Sequence, residues 1–378
     1  MKINFLPEEI IKKILSDETI KNYSSIIKEL IENSIDAKAK NISIYIDNYV
    51  NNFTVKDDGC GMSYKDAIIS YLKSTTSKIK KEKDLLNINS IGFRGNALYC
   101  ISNISIMEII TKSKNNKTGL KLIIEYGKLI KKIPYFCNTG SSFSINNIFF
   151  NTPNKKKFLL SNKEEYKKIK NEIYKLIIVN NKINFKFYHN NKLIFIFKKS
   201  SILDRISNIV LNKKILTYNK KYKDLKLKIF LFFSKNKKNK YIYVNNKFIK
   251  NNIYYKIINN YLLKYIKKKI NYFFFININN KFINFNINSD KNKVIFKSNI
   301  NIKKIIIIFL KLLINKNYFY NKKKINILYL KQKQEQKQEQ KQEKKQELYS
   351  NKEINYINNF FFNLKKKKLK NLKLIIIM

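Results

Sequence analysis

All seven glycines and all three prolines of this 378-residue chain lie before residue 154. The glycines are Gly59, Gly61, Gly92, Gly95, Gly119, Gly127 and Gly140; the prolines are Pro7, Pro134 and Pro153. The asymmetry is informative because the chain is saturated with Lys, Asn, Ile, Phe and Tyr, residues of AT-rich codons. Residues 1–153 are therefore expected to contain backbone positions where nothing but glycine serves, such as turns of positive φ or close approaches of two chains. Arginine is just as scarce: of 78 Lys and Arg residues only Arg94 and Arg205 are arginine.

The length suggests two domains of ordinary size, and a hydrophobic content of 44% suffices for globular cores. The first fifteen residues carry Lys2, Glu8, Glu9, Lys12 and Lys13, which does not read as a secretory leader. The longest apolar run, Ile305 to Ile314, is broken by Lys311 and is too short to span a bilayer. A soluble cytoplasmic protein with no membrane partner is expected. Cys60, Cys100 and Cys137 are odd in number and far apart, so they propose neither a disulfide framework nor a zinc site. His189 is the single histidine. It closes an alternating stretch, Phe185–Phe187–His189, before Asn190-Asn191, and reads as a turn-flanking residue. The net charge of +52 suits a polyanionic partner such as DNA. Codon bias supplies lysines wherever structure tolerates them, however, so the charge alone assigns no binding face.

Hydrophobic periodicity divides the chain. Residues 1–200 interleave helical patterns (8–15, 23–36, 62–73, from 98, and 161–179) with alternating strands (41–47, 52–56, 104–111, 120–125, 143–148, 183–188 and 193–197). Residues 201–330 read as a second α/β unit, with strands near 226–233, 241–244, 272–278 and 282–287 and helices at 251–268 and 300–315. A low-complexity linker follows at 331–350. Its KQE repeat has period four, so glutamates align with glutamates and lysines with lysines, which removes ion-pair support for a helix. Residues 351–378 form a short basic and apolar tail. The fold class expected is α/β (α+β): helices on a mixed sheet, then a second α/β domain.

Three patterns carry chemistry. In the helix 23–36, Ile26, Ile27, Leu30 and Ile31 cover one side, while Glu29, Glu32, Asn33 and Asp36 cover the opposite, wet side, with 29, 33 and 36 spaced i, i+4, i+7. A turn, Asp57-Asp58-Gly59-Cys60-Gly61, follows a strand. A glycine loop, Gly92-Phe93-Arg94-Gly95-Asn96-Ala97-Leu98, opens a helix, where backbone N–H groups are suited to phosphate. Each alone is an ordinary surface feature.

In this order and spacing, the three resemble the motifs of the GHKL (Bergerat-fold) ATPases. Thr76-Ser77-Lys78-Ile79 and Phe149-Phe150-Asn151-Thr152-Pro153 with Lys155–Leu160 resemble blocks of the MutL branch of that family, and the likeness extends over about residues 1–330. The resemblance implies a two-layer GHKL ATPase sandwich followed by a domain of ribosomal-S5 type, with ATP and Mg²⁺ as ligands. It implies that Glu29 is the general base for the attacking water and that Asn33 presents a neutral oxygen to Mg²⁺. Asp57 would accept from the adenine amino group. Asp36, Ala37, Gly59, Gly61 and Gly140 would shape the nucleotide pocket. Thr76, Ser77, Lys78, Gly92, Phe93, Arg94, Gly95, Asn96, Ala97 and Leu98 would form its lid. Ser289-Asp290-Lys291 falls where the branch has Pro-Ala-Lys, which nominates Lys291 as the catalytic lysine reaching the γ-phosphate. The implied role is an ATP-switched matchmaker in DNA mismatch repair, nucleoid-associated when acting, with DNA, a mismatch-recognition protein of MutS type and downstream repair factors as partners. An ATP-dependent homodimer is the implied assembly. Lys264, Lys267, Lys268 and Lys269 are candidate DNA contacts.

Departures mark the alternative, a hydrolysis-poor nucleotide- and DNA-binding scaffold of the same fold. Lys38 replaces a glycine, Asn96 replaces a glutamate, and Asn245-Asn246-Lys247 stands for Asn-Gly-Arg. The branch's C-terminal dimerisation domain is mostly missing from this sequence, and no Asp-Gln-His-Ala-x-x-Glu motif occurs in it, so an endonuclease is not expected.

Overall fold

Ile42, Ile44 and Ile46 alternate along β1 (Asn41–Ile46) and are all buried, as a strand with one covered face requires. The same rule holds along β2 (Phe53–Asp57), β3 (Ile106–Lys112), β4 (Gly119–Glu125) and β6 (Gly140–Asn146). With β5 (Lys128–Tyr135), β7 (Asn184–His189) and β8 (Lys192–Phe197), these strands make an eight-stranded sheet ordered β5-β4-β3-β6-β2-β1-β7-β8. Only the β1–β7 pairing in this sheet is parallel. The computed structural model describes residues 4–47, 50–78, 95–157, 159–211, 215–222, 225–233, 240–250, 252–265, 270–284, 294–296 and 302–320.

The helices lie on one face of that sheet. Asn22 starts α2 (Tyr23–Asp36) with a reciprocal cap: its side chain accepts from Ser25 N–H, and its own N–H donates to Ser25 Oγ. The apolar stripe Ile26, Ile27, Leu30 and Ile31 is fully buried, and Glu32, expected on the wet side, is buried as well, with Lys28 3.7 Å from its carboxylate. It joins one core with Ile169, Ile173 and Ile177 of α6 (Asn162–Val179) and with the inward residues of the strands. Helix α1 (Glu8–Thr19) packs on α4 (Ala97–Asn103). The Asn151-Thr152-Pro153 block clasps the end of α4: Asn151 Nδ2 donates to the Asn103 carbonyl at 2.7 Å, and Phe149 N–H donates to Ile104 O at 2.8 Å. The short α5 (Pro153–Lys157) then sends Lys155 back to Asp17 of α1 at 2.7 Å.

By contacts the chain divides into two units. The first comprises Met1–Lys213, Asn246–Phe248 and Phe285–Lys293; the second comprises Lys214–Asn245, Ile249–Asn284 and Val294–Met378. The first unit includes α7 (Ile202–Val210), packed on α6, and the two-residue β12 (Lys247–Phe248). In the second, β9 (Leu216–Tyr222), β10 (Leu225–Phe233), β11 (Lys240–Val244) and β13 (Ile270–Ile278) lie in the order β11-β13-β10-β9. Helix α8 (Asn252–Tyr265) connects the parallel pair β11 and β13, as a crossover must. Helix α9 (Ile302–Tyr320) packs on α8 and sets Phe309 against Tyr218 and Phe274.

Several elements escape the periodicity. Strand β5 is exposed along its whole length, so it shows no alternation. Helix α7 and β9 fall outside every predicted segment. The helix expected at 62–73 narrows to α3 (Tyr64–Ile69), because Ser63 caps its start by accepting from Asp66 N–H. The strand expected at 282–287 is a 3₁₀ turn, Asn280–Phe282, then the two-residue β14 (Ile283–Asn284); residues 285–287 lie outside the described ones. The linker and tail also lie outside them. Among the described residues no helix is long and apolar enough to cross a membrane.

Candidate active site

The site is built where α2 ends against the ends of β2, β3 and β6. Asp57, the last residue of β2, is only 7% exposed. Its Oδ1 accepts from Gly59 N–H at 2.8 Å and its Oδ2 from Ser34 Oγ at 2.9 Å, which fixes the carboxylate in one orientation. Burial pushes its pKa above the usual 3.8, against the opposing pull of the Gly59, Ser34 and Ser141 donors.

Glycine is required on both sides of that carboxylate. A Cβ on Gly61, at φ +63°, would stand 2.0 Å from the Lys112 carbonyl oxygen. One on Gly140, at φ +129°, would stand 2.2 Å from the Asp57 carbonyl oxygen. Thr111, at the end of β3, ties the three strands together: its Oγ1 accepts from Met62 N–H at 2.9 Å and lies 3.1 Å from Gly140 O and 3.0 Å from Ser141 Oγ. Ala37 closes the other side, its carbonyl accepting from Cys60 N–H.

Helix α2 ends in a motif that explains Lys38. Lys38 N–H donates to Ile35 O and Ala39 N–H to Ser34 O, the paired bonds of a Schellman cap. Such a cap places its C′ residue in the left-handed region, and Lys38 sits there at φ 61°. The lysine occupies a glycine's conformation.

Asn33 and Asp36 point along one side of α2, partly exposed, and Lys78 reaches both: Nζ lies 2.6 Å from Asp36 Oδ2 and 3.0 Å from Asn33 Oδ1. The lid motif and the helix motif, 45 residues apart in sequence, thus meet. Ahead of Lys78, Thr76 and Ser77 are exposed, and Thr76 Oγ1 accepts from Lys78 N–H. Asn96, next to Gly95, accepts from Ser74 N–H at 3.0 Å and so fastens the two described parts of the lid. Ala97 and Leu98 open α4. Glu29 is partly exposed on the Asn33 side of α2. Gly92, Phe93, Arg94 and Lys291 lie outside the described residues, as do Lys267, Lys268 and Lys269; Lys264 is in the last turn of α8.

Asn33 is the residue of α2 that could hold a Mg²⁺ ion. The Asn33 amide oxygen already accepts from a cation, the Lys78 ammonium. Among the described residues no group of three or more His, Cys, Asp or Glu side chains could hold a metal by itself. Mg²⁺ takes most of its ligands from phosphates and waters, so Asn33 could serve as a protein oxygen to it. Sequence reasoning missed Ser34 and Thr111. Both are buried small polar residues, and only the strand register shows that they support Asp57 and Gly140.

This architecture, a mixed eight-stranded sheet with α2 and a glycine-bounded buried aspartate at one end, is that of a nucleotide-binding GHKL domain. Residues 21–147 match the family described as histidine kinase-, DNA gyrase B- and HSP90-like ATPase. The chain is 35% identical over 259 residues to DNA mismatch repair protein MutL of Caldanaerobacter subterraneus subsp. tengcongensis, covering 66% of this chain and 44% of that one. It is 37% identical over 260 residues to MutL of Thermoanaerobacter pseudethanolicus, covering 66% and 42%. Among solved structures, the Aquifex aeolicus MutL ATPase domain complexed with ADP superposes with TM-score 0.55 at 21% identity, over 69% of this chain and 93% of that one. The N-terminal domain of a DNA repair protein superposes with TM-score 0.67 at 23% identity, over 84% and 99%. At those identities the structures speak for the fold alone. The chain belongs to the MutL branch of the GHKL ATPases, and it spans less than half the length of the MutL relatives it matches.

Proposed function

We propose that this protein binds ATP with Mg²⁺ in its first unit, hydrolyses it, and uses the cycle to couple mismatch recognition to downstream repair on DNA. The observation that carries this reading is the Asp57 carboxylate, buried at a strand end, fixed by Gly59 and Ser34, and flanked by glycines whose close backbone approaches hold the turn around it. A carboxylate so held accepts from an exocyclic amino group, which favours adenine.

Asn33 would hold Mg²⁺ from the end of α2, and the ion when bound neutralises phosphate charge. Glu29, one turn earlier on the same side, would orient a water and take its proton. Lys78 would leave Asp36 and Asn33 for the phosphates, joined by backbone N–H groups and Arg94 of the Gly92–Leu98 loop, with Ala97 and Leu98 at the helix start. Lys291 would reach the γ-phosphate. DNA, a mismatch-recognition protein of MutS type and further repair factors complete the reading. So does an ATP-dependent homodimer, for which the exposed Ile10, Ile11 and Ile14 of α1 offer apolar surface.

Two departures that suggest a hydrolysis-poor scaffold have local explanations that favour a working site. Asn96 fastens the lid through Ser74, and Lys38 merely occupies a helix cap. The test is binding of Mg·ATP to the wild type and to Asp57→Asn by calorimetry. Losing a charged acceptor to the base should weaken binding about 10- to 100-fold. Equal affinity would remove Asp57 from the base pocket and, with it, this reading.

A further inference from the structure

We infer that Lys78 is an internal counter-ion that keeps divalent cations off Asn33 until a nucleotide's phosphates draw it away, so that metal and nucleotide enter together. The inference rests on the reading of Asn33 as the residue that holds Mg²⁺. It adds an order of binding and the residue that enforces it.

Asn33 and Asp36 lie three apart in the last turn of α2, where the negative end of the helix dipole favours a cation. That turn contains no basic residue of its own. Lys78 supplies the cation: its Nζ lies 2.6 Å from Asp36 Oδ2 and donates to Asn33 Oδ1 at 3.0 Å. The Lys78 and Asp36 side chains are 20% and 14% exposed, so solvent and salt screen the pair only in part. One ammonium thus occupies both the carboxylate and the amide oxygen of the turn.

A divalent ion on Asn33 would stand about 2 Å from Oδ1. Lys78 Nζ, 3.0 Å from the same oxygen, would then be at most about 5 Å from the ion. Like charges that close in a partly buried site repel strongly. A bare metal ion therefore has to strip Lys78 of both bonds to gain one protein oxygen. Phosphates change the balance. They offer the ammonium other anionic oxygens, and they offer Mg²⁺ most of its ligands.

The segment that carries Lys78 is fastened at its base. Ser74 N–H donates to Asn96 Oδ1 at 3.0 Å, and Thr75 Oγ1 donates to Leu72 O at 2.9 Å. Beyond them Thr76 and Ser77 are exposed. Lys78 can therefore leave α2 by moving its own side chain and two exposed residues, with the base intact. An ion pair that only pinned this segment would set its mobility, not the metal affinity of Asn33.

The test measures Mn²⁺ binding to the nucleotide-free full chain, from the paramagnetic resonance signal of the free ion. Lys78→Met should bind Mn²⁺ about tenfold or more tighter than the wild type, because the repelling charge is gone. Lys78→Arg keeps the charge and should gain nothing. Adding Asn33→Ala to Lys78→Met should abolish the gain. Lys192→Met controls for net charge: Lys192 is exposed and pairs with His189, at the opposite end of the strands from Asp57, and should leave Mn²⁺ affinity unchanged. Circular dichroism checks that each variant is folded, and calorimetry of Mg·ATP on the wild type runs beside the series. No gain in folded Lys78→Met, a gain that survives Asn33→Ala, or an equal gain in Lys192→Met overturns the inference while Mg·ATP still binds. A wild type that binds no Mg·ATP defeats the reading of the site, and the inference with it.

Discussion

Replacing Arg205 with methionine should cost the first unit about 3–5 kcal/mol of stability. Arg205 is fully buried, and among the described residues no carboxylate lies within ion-pair distance of it. Its charge is spread over backbone carbonyls instead: one terminal nitrogen donates to Lys198 O at 2.9 Å, Asn181 O at 3.0 Å and Ile183 O at 3.1 Å, and the other donates to Ile177 O at 3.4 Å. Nε reaches Ser200 Oγ at 3.4 Å, and the guanidinium lies 5.6 Å and 5.9 Å from the ring centres of Phe197 and Phe185. Burial draws its pKa down to about 10, so the group stays protonated at neutral pH.

Methionine fills similar space but donates nothing. Four carbonyls at the junction of α6, β7, β8 and α7 would lose a donor, at about 1–3 kcal/mol for each left buried and unsatisfied. Water reaches some of them, which gives the lower total, similar to that for breaking a buried charge network. At about 2–4 °C per kcal/mol for a unit of this size, the melting temperature should fall by about 10 °C. Arg205→Lys should recover less than half, because an ammonium cannot span four carbonyls. Urea unfolding followed by far-ultraviolet circular dichroism measures both. A loss under about 1 kcal/mol for methionine, or full recovery by lysine, would refute the reasoning.

Lys38→Gly should stabilise the fold by about 1 kcal/mol, since φ 61° strains a side-chain-bearing residue; a thermal melt shows it as a rise of a few degrees. Lys78→Met should release the lid in the nucleotide-free protein, raising amide hydrogen exchange across residues 74–78 severalfold, because the bonds to Asp36 and Asn33 are lost. Nucleotide affinity should fall on acidification. The folded-state pKa of Asp57 is raised above 3.8, so the carboxylate protonates and ceases to accept at a higher pH than a free aspartate would. Calorimetric affinities between pH 7 and pH 4 follow that loss, and Asp57→Asn should not show it.

What could be read from the sequence follows from what periodicity encodes. Helix α2 runs Tyr23–Asp36 as its amphipathic stripe indicates, and β1 ends within a residue of its alternating run. The confinement of glycine to the first 153 residues reflects contacts that only the fold displays. Gly61 and Gly140 each touch a neighbouring carbonyl too closely for any side chain. Strand β5 was hidden because an edge strand with both faces wet carries no hydrophobic period. Ser34 and Thr111 were hidden because a lone hydroxyl gains its role only from a partner tens of residues away. Arg205 was visible as an oddity, one of two arginines in a lysine-rich chain, but its reason needs four carbonyls, one from α6 and three from two connections. The meeting of Lys78 with Asn33 and Asp36 links two motifs that sequence order could only set side by side.

The central claim is hydrolysis of ATP by a base on α2, and steady-state turnover of Mg·ATP by the purified chain, beside Glu29→Ala, tests it most directly. Turnover is expected in the wild type and a loss of about 100-fold or more in the variant, with Mg·ATP affinity retained, if Glu29 is to act on water and Asp57 on the base as proposed. Equal turnover in both proteins, or none in a wild type that binds Mg·ATP, would contradict it.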